Sequence, residues 1–230
     1  MKLTIDNQQI PLAVLRRAWE QPISVSLGSN AKTCLAEANR FIDSVVASGD
    51  SVYGVNTGFG QLASVRVSDD ELRHLQANLV RSHAVGVGED LDDEIVRLIM
   101  LMKVIALAQG YSGVRVELVE TLAELVEHNI YPRIPSRGSV GASGDLAPLA
   151  HMTQALLGEG EVRVNGSLVP AASALQNAGI RPLKLAPKEG LALLNGTQVS
   201  TALALAALFR AENALAAVLV AGAMSADAIK

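Results

Sequence analysis

The chain has 230 residues, of which 50% are hydrophobic, 18% charged and 3% aromatic, with a formal charge of -4. That length supports a substantial core, and an acidic balance without any Lys/Arg-rich block excludes the electrostatic footprint of a nucleic-acid or anionic-membrane binder, so a small-molecule partner is expected. Cys34 stands alone and excludes an intrachain disulfide, while the start Met1-Lys2-Leu3-Thr4-Ile5-Asp6 lacks a signal-peptide core. A reducing cytoplasm is the expected compartment.

In chain order, a short turn-rich N-terminal piece precedes an amphipathic helix over about Ala31 to Ala47, where Leu35, Ala38, Phe41, Ile42 and Val45 recur at helical spacing. The glycine-punctuated loop Tyr53-Gly54-Val55-Asn56-Thr57-Gly58-Phe59-Gly60 follows, and Ser68-Asp69-Asp70-Glu71 reads as a capping box opening a helix that runs to about His83. Further helices are predicted from Asp93 to Gln109 and from Val114 to His128. In the second, Leu118, Leu122, Leu125 and Val126 form a stripe opposite Glu117, Glu120, Glu124 and Glu127. Tyr131-Pro132-Arg133-Ile134-Pro135 cannot continue as helix.

Next comes Arg137-Gly138-Ser139-Val140-Gly141-Ala142-Ser143-Gly144-Asp145-Leu146-Ala147-Pro148-Leu149-Ala150-His151, with Asp145 as a plausible N-cap and Pro148 tolerated in the first turn. Asn165-Gly166, between Glu161-Val164 and Ser167-Val169, signals a type I′ hairpin, the only convincing β element. From Gly196 the sequence is Ala/Leu-rich to its end. Arg210, Glu212 and Asn213 are expected to divide this run into pieces too short for a membrane span, leaving an interior bundle helix or an oligomer interface. No linker composition and no internal repeat interrupt the chain.

The chemistry concentrates in Ala142-Ser143-Gly144. In a compressed turn the unhindered amide nitrogen of Gly144 can attack the Ala142 carbonyl and close a five-membered ring, and loss of the Ser143 hydroxyl then leaves an exocyclic methylidene. A bare Ala-Ser-Gly would more simply be a connector or helix cap. P-loop and nucleophile-elbow readings fail on spacing, because Asp145 follows Gly144 and Gly144 directly follows Ser143. The unbroken extension through Pro148 and His151 resembles the signature of the aromatic amino acid ammonia-lyases. Three further stretches carry the same resemblance: Tyr53 to Gly60, Leu79-Val80-Arg81-Ser82-His83-Ala84-Val85-Gly86-Val87-Gly88, and Leu193-Leu194-Asn195-Gly196-Thr197-Gln198.

The resemblance covers essentially the whole chain. It implies a mainly α fold of the helical-bundle, fumarase/aspartase-like type, with a small irregular N-terminal region and one short β-hairpin. Residues 1–230 would form one N-terminal region: an active-site-bearing part to about 195, then the start of the central bundle helices from about 196. It further implies a 4-methylidene-imidazol-5-one group formed from Ala142, Ser143 and Gly144, with no external cofactor and no metal, in a protein that is a homotetramer at full length and continues past Lys230. The isolated piece is then expected to expose bundle surface and associate.

By the same resemblance Tyr53 is the base that removes the substrate's β-proton. A phenol with an ordinary pKa of about 10 needs nearby positive charge or N–H dipoles for that task, and its sequence neighbours supply no cation. His83 is implied as substrate-binding, and its pairing with Ser82 resembles the histidine-specific members, since one imidazole can donate N–H to another. Asn195 is implied to hydrogen-bond the prosthetic ring's oxygen or the substrate's polar end; as a plain residue it reads as a helix C-cap before Gly196. Asp145 either caps its helix or polarises the cyclising peptide, or does both.

His151 reads as structural, and His74 and His128 show no metal-site spacing. The expected reaction is non-oxidative conversion of L-histidine to trans-urocanate and ammonia. A phenylalanine or tyrosine ammonia-lyase or aminomutase, and a truncated non-catalytic interaction subunit, are the alternatives.

Overall fold

A computed structural model describes residues 1–48, 51–57 and 69–229. The chain opens with β1 (Lys2–Ile5), α1 (Leu12–Glu20), β2 (Ser24–Leu27) and α2 (Ser29–Ser48). β1 and β2 pair in parallel, Lys2 opposite Ser24 and Ile5 opposite Leu27. Parallel neighbours need a crossover, which α1 supplies. The N-terminal piece, expected to be irregular, is therefore a small βαβ unit. In α2 the expected apolar face buries Leu35 and Ile42 but leaves Phe41 67% exposed.

After α3 (Asp69–His83) and β3 (Val87–Asp90) come the two helices that organise the core, α4 (Asp93–Ala108) and α5 (Val116–Glu127). α4 is apolar almost all round and buries every residue from Ile95 to Leu101, as a helix without a polar face must. α5 is one-sided: Leu118, Leu122, Leu125 and Val126 are buried and Glu124 and Glu127 exposed, so its predicted stripe is the face it packs. Ser68 of the capping box and Gly58, Phe59 and Gly60 of the glycine loop lie outside the described residues.

The predicted hairpin is β6 (Glu161–Val164) with β7 (Ser167–Pro170), Val164 opposite Ser167. Asn165 at φ 50 and Gly166 at φ 77 both take the left-handed conformation of a type I′ turn. It is not the only β element. β4 (Tyr131–Pro132) adds an edge strand to the hairpin, and β5 (Pro135–Arg137) pairs antiparallel with β3. These strands are too short to show an alternating pattern, and their prolines sit where an edge tolerates a missing donor.

α6 (Leu146–Leu156), α7 (Ala171–Ala178), α8 (Glu189–Leu194) and α9 (Gln198–Ala228) complete the fold. α9 runs unbroken through Arg210, Glu212 and Asn213, contrary to the expected division, because polar side chains on a helix surface need partners rather than a break. Arg16 of α1 supplies them, donating to Glu212 at 2.7 Å and to the Asn213 side chain at 2.6 Å, and Arg210 pairs with Asp92 at 3.1 Å. By length and composition residues 189–228 contain a stretch that could cross a membrane, so short pieces no longer argue against a span. Those ion pairs do, since they dock this part of α9 on α1 and on the start of α4. The N-terminal half of α9 buries Val199, Ala202, Ala206 and Phe209, whereas Leu215, Val218, Leu219, Val220 and Met224 are exposed.

Candidate active site

β5 delivers the chain into the glycine-rich signature, where Ala142 and Ser143 sit exposed on a bend and Asp145 is buried immediately before α6. Asp145 occupies the N-cap position of α6, yet its carboxylate does not cap that helix. It accepts hydrogen bonds from Ser139 Oγ at 2.8 Å, Ser200 Oγ at 2.5 Å and the Ser200 N–H at 2.8 Å. Ser200 lies in the first turn of α9, so Asp145 caps that helix across the fold. Burial alone would raise its pKa; the hydrogen bonds from Ser200, Ser139 and the Val199 N–H outweigh it and hold the carboxyl below its ordinary range. An ionised carboxylate thus sits where α6 and α9 begin, the ends that favour negative charge.

The motif segments meet through glycines. Gly144 has φ +99°, and a Cβ there would lie 2.7 Å from the carbonyl oxygen and 2.8 Å from the nitrogen of Gly196, so no other residue allows this approach. The Asp145 N–H donates to the same Gly196 oxygen at 2.8 Å. At the start of α8, Gly190 packs its backbone on Gln76 of α3 and donates N–H to the Gln76 side-chain oxygen at 2.9 Å. A Cβ on Gly54 would overlap Leu191 Cδ2. α8 therefore gathers the Tyr53 turn, the helix bearing His83 and the Ala142-Ser143-Gly144 triad against one short element.

Tyr53 lies at that turn and is 57% exposed, while Val55, Asn56 and Thr57 beside it are buried. His83 ends α3. Its Nδ1 donates to the Leu79 carbonyl at 2.8 Å, because a carbonyl can only accept, and this bond selects the tautomer in which Nε2 is the acceptor. Asn195 caps α8 at its C-terminus, as the sequence suggested, in extended backbone conformation.

His151 takes the structural part expected of it: its Nε2 accepts the Gly86 N–H at 3.0 Å and fixes the turn that follows His83. Burial, aided by the positive charge of Arg133, lowers its pKa. A pocket of about 450 Å³ lined by Gly86, Gly88, Arg133, His151, Gln154 and Glu161 opens beside this turn and contains none of the expected site residues. Among the described residues no group of three or more His, Cys, Asp or Glu is placed to hold a metal.

Two polar features of the site escaped the sequence reading. Glu189, fully buried at the start of α8, accepts from Arg115 Nε at 3.0 Å and Nη2 at 2.8 Å and from the backbone N–H groups of Arg115 and Ala186. Lys103, 1% exposed in the middle of α4, donates to the Asn195 carbonyl at 2.8 Å. The signal for Lys103 was available, because a lone cation inside Ile99-Met100-Leu101-Met102-Lys103-Val104-Ile105 is a residue type almost never buried without a reason.

With this geometry in place, residues 10–230 match the aromatic amino acid lyase family, and the chain belongs to that family. It is 50% identical over 228 residues to histidine ammonia-lyase of Vibrio cholerae serotype O1, covering 99% of this chain and 45% of that protein. Among solved structures it superposes on ergothionase from Treponema denticola with a TM-score of 0.86 at 29% identity, covering 89% of this chain and 41% of that one. Histidine ammonia-lyase from Trypanosoma cruzi gives a TM-score of 0.85 at 36% identity, with 92% and 41% covered. The chain thus spans less than half the length of the relatives it matches.

Proposed function

We propose that the chain is the triad-bearing portion of a histidine ammonia-lyase, eliminating ammonia from L-histidine to give trans-urocanate. The observation that carries this reading is the clasp of Gly144 and Asp145 on Gly196, which joins the Ala142-Ser143-Gly144 triad to the Asn195 turn. Sequence identity to the Vibrio enzyme supports the choice of histidine.

The residues present fit a ring formed from the triad. Gly144 already holds a left-handed conformation closed to other residues, and the exposure of Ala142 and Ser143 leaves room outside the fold for the product. In the cyclisation the Gly144 nitrogen bonds to the Ala142 carbonyl carbon, whose oxygen leaves as water with the N–H protons of Gly144 and Ser143. A second water takes the Ser143 hydroxyl and its Cα proton. The finished methylidene supplies the electrophile that makes the substrate's amine a viable leaving group.

The other roles fall to ordinary side chains. Tyr53 takes the β-proton of the substrate. His83, with Nδ1 committed to Leu79, offers Nε2 to the N–H of the substrate's imidazole. Asn195 hydrogen-bonds the polar end of the substrate, and ionised Asp145 holds the triad's C-terminal side in place. The exposed apolar face of α9 is where the remainder of the lyase and its other subunits pack.

Deamination of histidine, phenylalanine and tyrosine by the full-length lyase that carries these residues tests the reading. Histidine is expected to turn over fastest, with a His83→Ala variant losing that preference. Faster release of cinnamate or coumarate than of urocanate overturns it.

A further inference from the structure

Lys103 is a buried cation that the proposed chemistry does not use, and unlike Arg97, which is also buried in α4, it reaches the Asn195 turn. It projects from the core helix α4 and is 1% exposed, with its pKa pushed down to about 7 by burial. Among the described residues no carboxylate pairs with it, and the acceptor it reaches is the Asn195 carbonyl at 2.8 Å. A buried amine without a counter-ion among the described residues costs stability, so its position asks for a local function.

The bonds around it form a chain. Lys103 Nζ fixes the carbonyl of the Asn195–Gly196 peptide, and a planar trans peptide fixed at its oxygen has its nitrogen fixed as well. The Gly196 nitrogen and carbonyl oxygen are the atoms against which Gly144 packs, and that oxygen receives the Asp145 N–H at 2.8 Å. An amine donates to a carbonyl whether or not it is protonated, so the contact survives the loss of charge that burial favours.

We propose that Lys103 is a positioning residue for ring formation: by holding the Asn195 carbonyl it seats the Asn195–Gly196 turn against Gly144 and keeps the triad in its compressed shape. The inference rests on the reading of residues 142–144 as the cyclising triad. Lys103 touches no reacting atom and acts only through Gly196.

The test compares the chain with its Lys103→Met variant, which keeps the length of the side chain and removes the donor, and with Lys103→Gln, which keeps a donor should the methionine variant fail to fold. Two quantities are read: the rate at which newly folded chain loses two waters, by intact mass, and the hydrogen-exchange protection of the Asp145 amide relative to amides inside α6. The expected result is that Lys103→Met loses water at least about tenfold more slowly and exposes the Asp145 amide about tenfold, with α6 amides and overall unfolding little changed, and that Lys103→Gln falls between. Equal rates of water loss in parent and variant overturn the role of Lys103 while leaving the triad reading intact. If the parent keeps its full mass, the ring-forming reading fails, and the Asp145 amide decides for Lys103 alone: unchanged protection in the variant overturns it, and lost protection retains it as the anchor of the turn.

Discussion

Gly144 is the residue on which the local geometry turns. Its φ of +99° is open to glycine and strained for any L side chain, and the space its Cβ would need is filled by backbone atoms of Gly196, which cannot rotate away. Gly144→Ala should therefore cost about 1–3 kcal/mol of unfolding free energy, measured by urea denaturation, and an unchanged midpoint would mean that Gly196 is not packed there. His151 gives a pH-dependent counterpart. Burial first, then the charge of Arg133, depresses its folded pKa, so the unfolded chain binds the extra proton as pH falls below the ordinary value of about 6.5. Its contribution is complete above that pH and is lost as pH drops through 6.5 toward the folded value. A His151→Gln variant should show a shallower fall in stability between pH 7.5 and 5.5, and an identical slope would remove His151 as the residue that titrates.

Among the elements, α8 is short but gathers the site, and Glu189 ties down its start. Removing that carboxylate in Glu189→Ala takes from Arg115 its buried partner and leaves two backbone N–H groups without an acceptor, while Glu117 and the Lys184 carbonyl still hold the guanidinium. Because Arg115 is 31% exposed and can rehydrate, the cost should sit near the lower end for a broken buried pair, about 3 kcal/mol, read from chemical denaturation; a loss within experimental error would contradict the buried network. This element also shows where sequence reasoning stops. α5 and the β6–β7 hairpin were legible because a stripe repeating at helical spacing and an Asn-Gly turn are local signals. The signature residues were legible because the unbroken run from Arg137 to His151 resembles that of the ammonia-lyases, whereas Ala142-Ser143-Gly144 alone would read as a connector. The links from Gly54 to Leu191, from Gly190 to Gln76 and from Asp145 to Ser200 join distant segments through backbone approach or a single carboxylate, and no local pattern encodes them. Asp145 illustrates the point: its position before α6 suggested a cap for that helix, and tertiary packing gave its side chain to α9 instead.

The whole molecule divides into a well-buried core around α4 and a long helix whose C-terminal half lies open. Leu215, Val218, Leu219 and Met224 expose large apolar side chains on successive turns, a patch of the kind that covers itself by association. Sedimentation should show concentration-dependent association of the chain. A Leu215→Glu, Leu219→Glu double variant should shift it to monomer with little change in unfolding midpoint, since these residues make no buried contacts; the same oligomer in both would place the interface elsewhere.

The central claim, that this fold is built to turn Ala142-Ser143-Gly144 into an electrophile, is tested most directly by the intact mass of the purified chain. A mass short by two waters, with the loss mapped to a peptide containing residues 142–144 and abolished in Ser143→Ala, is the expected result. A parent chain that keeps its full mass would contradict it.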